Sequence, residues 1–174
     1  FATESGEVAL AWSQESNGQN DIQVLTGQND NLVNVSNSQA NSTDPELVVD
    51  STGDAHLVWV EDDADILYSR CSRVDCTAPA PLSNSAALEC LPDPSPQNAE
   101  PTIAIDPADR VMVVWLSGQQ SLVYSTWSAS ANPSQTPTGC VPGGAEEEPA
   151  GQQPRLATDA AGDFSLVYGA GTDD

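Results

Sequence analysis

Lysine is absent from this sequence, and its basic side chains are limited to four arginines and one histidine. They are outnumbered by 26 acidic residues, which give the chain a formal net charge of −22 at pH 7. Such a charge repels phosphate groups, so the composition argues against partners such as nucleic acids and anionic membranes. Solubility is the simplest role for this charge, and a salty or calcium-containing exterior suits it.

Long hydrophobic runs are missing as well. The longest apolar stretch, Val111 to Leu116, has 6 residues, whereas a membrane-spanning helix needs about 20. We therefore expect no membrane insertion. No basic region followed by an apolar block opens the chain, so no signal peptide is expected within it.

The sequence also lacks a Cys-x-x-Cys metal motif. Its lone histidine, His56, makes a zinc site of mixed Cys and His ligands hard to build. Disulfides formed in an oxidising exterior are the simpler interpretation, which predicts a secreted or cell-surface protein. Four cysteines allow three pairings. We favour Cys71–Cys76 with Cys90–Cys140, because the first pair would close one short hairpin loop.

The strongest feature that is present is an internal repeat. Four segments align without gaps, and each ends in a large aromatic residue that we assign to packing between repeats. The segments are Phe1–Trp12, Val48–Trp59, Ala104–Trp115 and Ala157–Tyr168. Nine residues before the last three aromatics stand Asp50, Asp106 and Asp159. We interpret these aspartates as turn caps, since Asp side chains accept hydrogen bonds from nearby backbone N–H groups.

Each repeat has the strand pattern of a propeller blade. In the second unit, Pro45 suits the start of a strand over Glu46 to Val49, and a turn leads to a second strand over Ala55 to Val60. A third strand is predicted at Ile66 to Ser69, and a fourth follows it. Four short strands in about 50 residues have the size of one β-propeller blade. The sequence therefore predicts an all-β fold of four-stranded antiparallel blades.

The repeats predict a single region over residues 1–174 that forms about three and a half blades of an incomplete ring. The approximate units are residues 1–40 (partial blade), 41–98 (blade), 99–151 (blade) and 152–174 (partial blade). Closed propellers have about four to eight blades. Open strand edges invite pairing with other strands, so we expect partners that are copies of the chain or other chains, and a filament is one form of this.

The recurring order of proline, aspartate, glycine and tryptophan, followed by Ile/Leu-x-Tyr-Ser, resembles the blades of sialidase-like propellers of the BNR type. The resemblance implies a ring of blades around a central channel. The Asp box of many such blades is missing, because residues 71–76 read CSRVDC at the matching place. The family's arginine cluster is not expected either, since Arg70, Arg110 and Arg155 fall in different parts of the unit.

Two features suggest ligands. The hairpin loop that contains Glu61, Asp62, Asp63 and Asp65 crowds four carboxylates together, and a hard cation would relieve their repulsion. Calcium is therefore the predicted cofactor, with a solvated acidic turn as the alternative. Trp127 lies outside the repeat register, so we predict an exposed side chain that contacts glycans. His56 is predicted to be a solvent-facing strand residue and not a catalytic base.

Fold alone does not determine activity. We assign no catalytic residue, and our leading interpretation is a non-catalytic extracellular module with a structural, assembly or adhesion role. The alternatives are a glycan-active enzyme, such as a sialidase-like glycoside hydrolase, and a lectin-like glycan-binding propeller.

Overall fold

A computed structural model describes residues 9–27, 31–83, 97–118, 121–134, 137–141 and 153–169. All regular secondary structure in these ranges is β-strand, and the strands form four antiparallel sheets. The prediction of antiparallel propeller blades in an incomplete ring is confirmed. The start of the first repeat segment and Cys90 lie outside the described residues.

The four sheets follow one another along the chain, and each is named here as a blade. The first blade contains β1 (Leu10–Ser16), β2 (Gln19–Thr26) and β3 (Asn31–Asn34), and the second contains β4 (Ser42–Val49), β5 (Ala55–Glu61), β6 (Asp65–Cys71) and β7 (Ala80–Pro81). The third contains β8 (Asn98–Ile105), β9 (Arg110–Ser117), β10 (Ser121–Ser128) and β11 (Gly139–Cys140), and the fourth contains β12 (Arg155–Thr158) and β13 (Phe164–Val167).

The blades stack face to face, so both faces of a middle blade are buried. On β5, Leu57 and Trp59 pack toward the first blade, while Val58 and Val60 pack toward the third. Trp115 of the third blade lies against the second blade and is 1% exposed. Tyr168 joins the apolar cluster between the third and fourth blades. These large side chains pack with the Val, Ile and Leu residues of the neighbouring sheets.

The turn between the first two strands of a blade is organised by an aspartate. The Oδ1 atom of Asp50 accepts hydrogen bonds from the backbone N–H groups of Thr52 and Asp54, each at 2.9 Å. Asp106 accepts the equivalent bonds from Ala108 and Arg110, and Asp159 accepts those from Ala161 and Asp163. The carboxylate thus satisfies backbone donors that the tight turn leaves without strand partners.

The first strand of the second blade begins earlier than predicted. β4 starts at Ser42 instead of Glu46, because a bulge between Thr43 and Glu46 allows pairing with β5 to continue on both sides of Pro45. The third blade repeats this arrangement with a bulge between Ala99 and Thr102. The proline therefore marks an irregularity inside the strand, where its missing N–H costs no ladder hydrogen bond.

Candidate functional site

The first strands β4, β8 and β12 place three equivalent residues at one end of the blades. Each residue directly precedes the proline of its strand, and each has a left-handed backbone conformation: φ is 51° at Asp44, 51° at Glu100 and 62° at Gln153. The left-handed conformation is energetically unfavourable for residues other than glycine. Residues held in it are often found at functional sites. This repeated strain identifies the proline end of the first strands as the candidate site.

Side chains one position after the prolines connect the three strands. The buried Thr102 donates a hydrogen bond from Oγ1 to Oε2 of Glu46 at 3.2 Å, and accepts one from the backbone N–H of Leu156 at 3.3 Å. Arg155 reaches back to the second blade, with its Nη1 atom 3.7 Å from Oε1 of Glu46. Residues from three successive blades therefore meet in one polar group at this end.

Glu100 is tied to the next blade through its carboxylate, which accepts a hydrogen bond from the backbone N–H of Gln153. Asp44, at the equivalent position one blade earlier, is exposed. Asp44 and Glu100 thus hold equivalent positions on neighbouring first strands. Two carboxylates can act as general acid, general base or nucleophile in glycosidic bond cleavage where they flank the bond.

This set of carboxylates was not identified from the sequence. The recurring proline of the unit was noted, but the residues before Pro45, Pro101 and Pro154 were not. The available signal was that two of the three X-Pro steps have an acidic residue at X.

A second polar group lies between the second and third blades, and it corrects the prediction for His56. The ring is fully buried, with Nδ1 2.7 Å from the Tyr68 hydroxyl and Nε2 3.2 Å from Oδ2 of Asp50. His56 is not solvent-facing, because the face of β5 that carries it is covered by the third blade. A substrate cannot reach a group sealed in this way, so we assign it to blade packing.

Burial sets the ionisation of this second group. It raises the pKa of Tyr68 to about 12 and holds the pKa of His56 below its ordinary value. Burial also acts to raise the pKa of Asp50, but hydrogen bonds from Thr52, His56 and the backbone of Asp54 outweigh it and leave the pKa lowered. With the pKa values of His56 and Asp50 both lowered, the imidazole is neutral and the neighbouring carboxylate is ionised at neutral pH.

The acidic hairpin loop does not gather its four carboxylates. Glu61 accepts hydrogen bonds from Ser38, Ser42 and the Trp59 indole, at 2.6, 2.5 and 3.0 Å. The remaining members point to different partners or to solvent: Asp62 accepts a bond from the Asn41 N–H, Asp65 accepts one from Ser83, and Asp63 is exposed. Across the described ranges, no group of three or more His, Cys, Asp or Glu side chains could hold a metal ion. Calcium binding stays a prediction of the sequence.

Trp127 is not the exposed residue that its position outside the repeat suggested. Its ring packs edge-on against Tyr68, with centroids 5.0 Å apart, and its Nε1 atom is buried. The ring is half-buried at the interface of the second and third blades, where it supports packing, and its contact with glycans stays a prediction of the sequence.

The predicted cysteine pair is close in the fold. Cys71 and Cys76 form a disulfide across the loop after β6, and Cys140 is also disulfide-bonded. Its predicted partner, Cys90, lies outside the described residues. The described ranges contain no helix that could cross a membrane.

Comparison with known proteins adds to this picture. No family model matches the sequence, and no curated protein matches it. Among solved structures, the chain is similar to a thermostable family-43 glycoside hydrolase, with a TM-score of 0.60 and 11% identity over 95% of this chain and 62% of that one. An endo-arabinase from Bacteroides thetaiotaomicron matches with a TM-score of 0.55 and 16% identity, covering 97% of this chain and 67% of that one. An α-L-arabinanase from Penicillium chrysogenum, complexed with arabinobiose, matches with a TM-score of 0.56 and 14% identity, covering 94% and 54%.

Two expectations are corrected by these matches. They support a propeller architecture but not the sialidase-like repeat family of the BNR type. They also contradict the preference for a non-catalytic module and favour the glycan-active alternative, because the similar structures are glycoside hydrolases. At these identities the likeness establishes the fold. The chain spans 62% of the length of the family-43 hydrolase.

Proposed function

We propose that this chain belongs to a glycoside hydrolase and that Asp44 and Glu100 are its catalytic carboxylates. The observation that carries the proposal is their equivalent position: each precedes the proline of a first strand, in neighbouring blades, with the same left-handed φ of 51°. Glycoside hydrolysis needs two carboxyl groups on either side of the scissile bond. Two neighbouring strands that begin in the same way supply such a pair.

The surroundings of the two carboxylates differ, which suits different roles. The hydrogen bond from the Gln153 N–H fixes one oxygen of Glu100, and we assign this positioned carboxylate the role of attacking the sugar or activating water. Asp44 is exposed, and we assign it the role of the acid that faces the leaving group. Glu46, held by Thr102 and Arg155, contributes negative charge at the same end of the strands.

The substrate class follows from the charge of the chain and from the similar structures. A net charge of −22 disfavours acidic glycans such as uronate polymers. The similar structures include an endo-arabinase, an arabinanase bound to arabinobiose and a family-62 hydrolase in complex with xylotriose. We infer a neutral pentose-containing glycan as the substrate, and secretion to an oxidising exterior is consistent with the Cys71–Cys76 disulfide.

Aryl α-L-arabinofuranosides and aryl β-D-xylosides provide the test. We expect Asp44→Asn and Glu100→Gln each to lower kcat by about 100-fold or more, the usual scale for loss of an acid–base group. Asp75→Asn is the matched control, because Asp75 is an exposed carboxylate in the disulfide loop at the opposite end of the second blade from Asp44.

The two roles can be separated within the same assay. Loss of a general acid slows hydrolysis most when the leaving group is poor, as a sugar is, and least when it is good, as nitrophenolate is. Asp44→Asn should therefore retain more activity on nitrophenyl glycosides than on arabino-oligosaccharides. Glu100→Gln should lose activity on both substrate types. The absence of turnover in the unsubstituted protein, or full activity in both variants, would contradict the proposal that Asp44 and Glu100 catalyse glycoside hydrolysis.

A further inference from the structure

Gln153 occupies, in the fourth blade, the position that Asp44 and Glu100 occupy in the two blades before it. It precedes Pro154, it is exposed, and its φ is 62°. Its backbone N–H donates a hydrogen bond to the carboxylate of Glu100. This bond holds the α-carbon of Gln153 next to one of the two proposed catalytic groups, so a sugar bound at Glu100 lies within reach of the Gln153 side chain.

The backbone at this position does not require a glutamine. A positive φ is unfavourable for a residue with a side chain, whereas glycine adopts it at no steric cost. The hydrogen bond to Glu100 needs only the backbone N–H of residue 153, which glycine also carries. Neither feature accounts for the glutamine side chain, so its role lies outside the backbone arrangement.

An amide complements the two carboxylates in the binding of a sugar. A sugar hydroxyl both donates and accepts hydrogen bonds, but an ionised carboxylate can only accept them. Asp44 and Glu100 therefore provide no donor for the lone pairs of a bound hydroxyl. The Gln153 amide supplies two N–H donors as well as an acceptor oxygen, and it adds no charge to a chain with a net charge of −22.

Arg155 is a second side chain at this end of β12 that can donate hydrogen bonds. Its Nη1 atom donates to the backbone carbonyl of Pro154 at 3.1 Å and lies 3.7 Å from Oε1 of Glu46. The guanidinium thus already faces a carboxylate of its own. Of the two donors, Gln153 is the one that is joined directly to Glu100.

We infer that the side-chain amide of Gln153 binds a hydroxyl group of the sugar held at Glu100 and fixes the position of the substrate. The inference rests on the proposed function and adds to it a residue that binds the substrate without taking part in bond cleavage. A hydrogen bond of this kind is present in the bound substrate and in the transition state alike. Its loss therefore raises KM and leaves kcat nearly unchanged.

Gln153→Gly tests the inference with little change to the backbone. Glycine keeps the N–H that bonds Glu100 and accepts the positive φ, so the substitution removes the side chain alone. On aryl α-L-arabinofuranosides and aryl β-D-xylosides we expect KM to rise about 3- to 10-fold, the scale of one hydrogen bond, with kcat changed by less than about twofold. Gln153→Glu keeps the length of the side chain but cannot donate as a carboxylate, so it should raise KM at least as much.

Asp109→Gly is the matched control. Asp109 lies in the turn after β8, at the opposite end of that strand from Glu100, and its φ is 57°. The substitution makes the same change, from a left-handed residue with a side chain to glycine, and should leave KM unchanged. An equal rise in KM in this variant would show that the effect comes from the fold and would overturn the inference.

Calorimetric titration with arabinobiose and with xylotriose separates this inference from the proposed hydrolysis. The titration uses the Asp44→Asn chain, in which cleavage during the measurement is suppressed, with and without Gln153→Gly. We expect the Kd of the bound sugar to rise by the same factor as KM. Turnover in the unsubstituted chain, with KM or Kd unchanged by Gln153→Gly, would overturn the inference and leave the proposed hydrolysis in place.

The same titration decides the case in which the unsubstituted chain shows no turnover. A sugar that binds and is weakened by Gln153→Gly would then support the role of Gln153 and contradict the hydrolysis. The absence of both turnover and binding of either sugar would overturn both.

Discussion

The Nδ1 atom of His56 lies 2.7 Å from the hydroxyl oxygen of Tyr68. The Asp50 carboxylate can only accept a hydrogen bond, so the neutral imidazole carries its proton on Nε2 and donates it to Asp50. The Tyr68 hydroxyl then donates a hydrogen bond to Nδ1. Arg70, on the same strand as Tyr68, crosses the blade interface by donating a hydrogen bond to the backbone carbonyl of Ala129 at 2.8 Å. His56, Tyr68 and Asp50 all belong to the second blade, and their burial on folding fixes their protonation states.

Acidification should lower the free energy of unfolding through His56. The pKa of His56 is lowered in the folded chain, so between that value and the unfolded value of about 6.5 the unfolded chain binds more protons. The contribution of His56 to the free energy of unfolding is therefore fully present above about pH 6.5. It is lost as the pH falls toward the pKa of His56 in the folded chain. Each pH unit between the folded and unfolded pKa values of His56 changes the free energy of unfolding by about 1.4 kcal/mol.

Urea unfolding at about pH 7.5 and about pH 5.5 measures this effect. The many carboxylates also respond to pH, so the informative quantity is the difference between the unsubstituted chain and His56→Gln at each pH. We expect the advantage of the unsubstituted chain to shrink at the lower pH. An advantage that stays constant or grows would contradict a lowered pKa for His56.

The burial of His56 shows why part of the fold escaped sequence reasoning. Alternation along a strand normally separates a core face from a solvent face, and on that basis His56 was predicted to face solvent. In a propeller, however, the faces of a middle blade are both covered by neighbours, so alternation on β5 separates two interfaces. The large aromatics were easier to place, because Trp59 and Trp115 fill the same inter-blade position at a regular spacing.

Thr102 offers a test of the contacts among the first strands. Replacing it with Val removes the hydroxyl that bonds Glu46 and the Leu156 N–H while keeping the side-chain volume. We expect a loss of about 1–2 kcal/mol in the free energy of unfolding, measured by urea denaturation. Thr102→Ser is the control that retains both hydrogen bonds. A Val variant as stable as the unsubstituted chain would show that these bonds add nothing to stability.

The candidate site was hidden by variation at its defining position. The prolines recur and were visible in the alignment of repeats, but the residues before them are Asp44, Glu100 and Gln153, which share no side chain. What they share is a left-handed backbone, which lies at a bulge in β4 and β8. Bulges are set by strand register, which depends on contacts between blades and cannot be read from one repeat.

The Cys71–Cys76 disulfide should stabilise the loop after β6. The bond closes a loop with a sequence separation of 5 residues, for which the chain-entropy model gives about 2 kcal/mol. We expect the double variant Cys71→Ala, Cys76→Ala to unfold at lower urea by this amount. Substitution is preferable to a reductant, because Cys140 is also disulfide-bonded and would be reduced at the same time. Unchanged stability in the double variant would indicate that the short loop is already ordered without the bond.

Asp109 occupies a turn position that glycine fills in two other blades. Its φ is 57°, while Gly53 and Gly162 at the matching positions both have a φ of 90°. The side chain compensates for the backbone cost, since its carboxylate accepts hydrogen bonds from the backbone N–H and the hydroxyl of Ser51 in the second blade.

Substitution at Asp109 should separate the two contributions. Asp109→Gly and Asp109→Ala both lose the bonds to Ser51, but only alanine keeps a Cβ in the left-handed region, which costs about 1–2 kcal/mol. We therefore expect the alanine variant to be the less stable of the two by about 1 kcal/mol in urea denaturation, the reverse of the usual order. Ala108→Gly, one residue earlier, is the control and should show the usual order, with glycine less stable than alanine. If alanine is at least as stable as glycine at position 109, then backbone strain does not explain the recurrence of glycine in this turn.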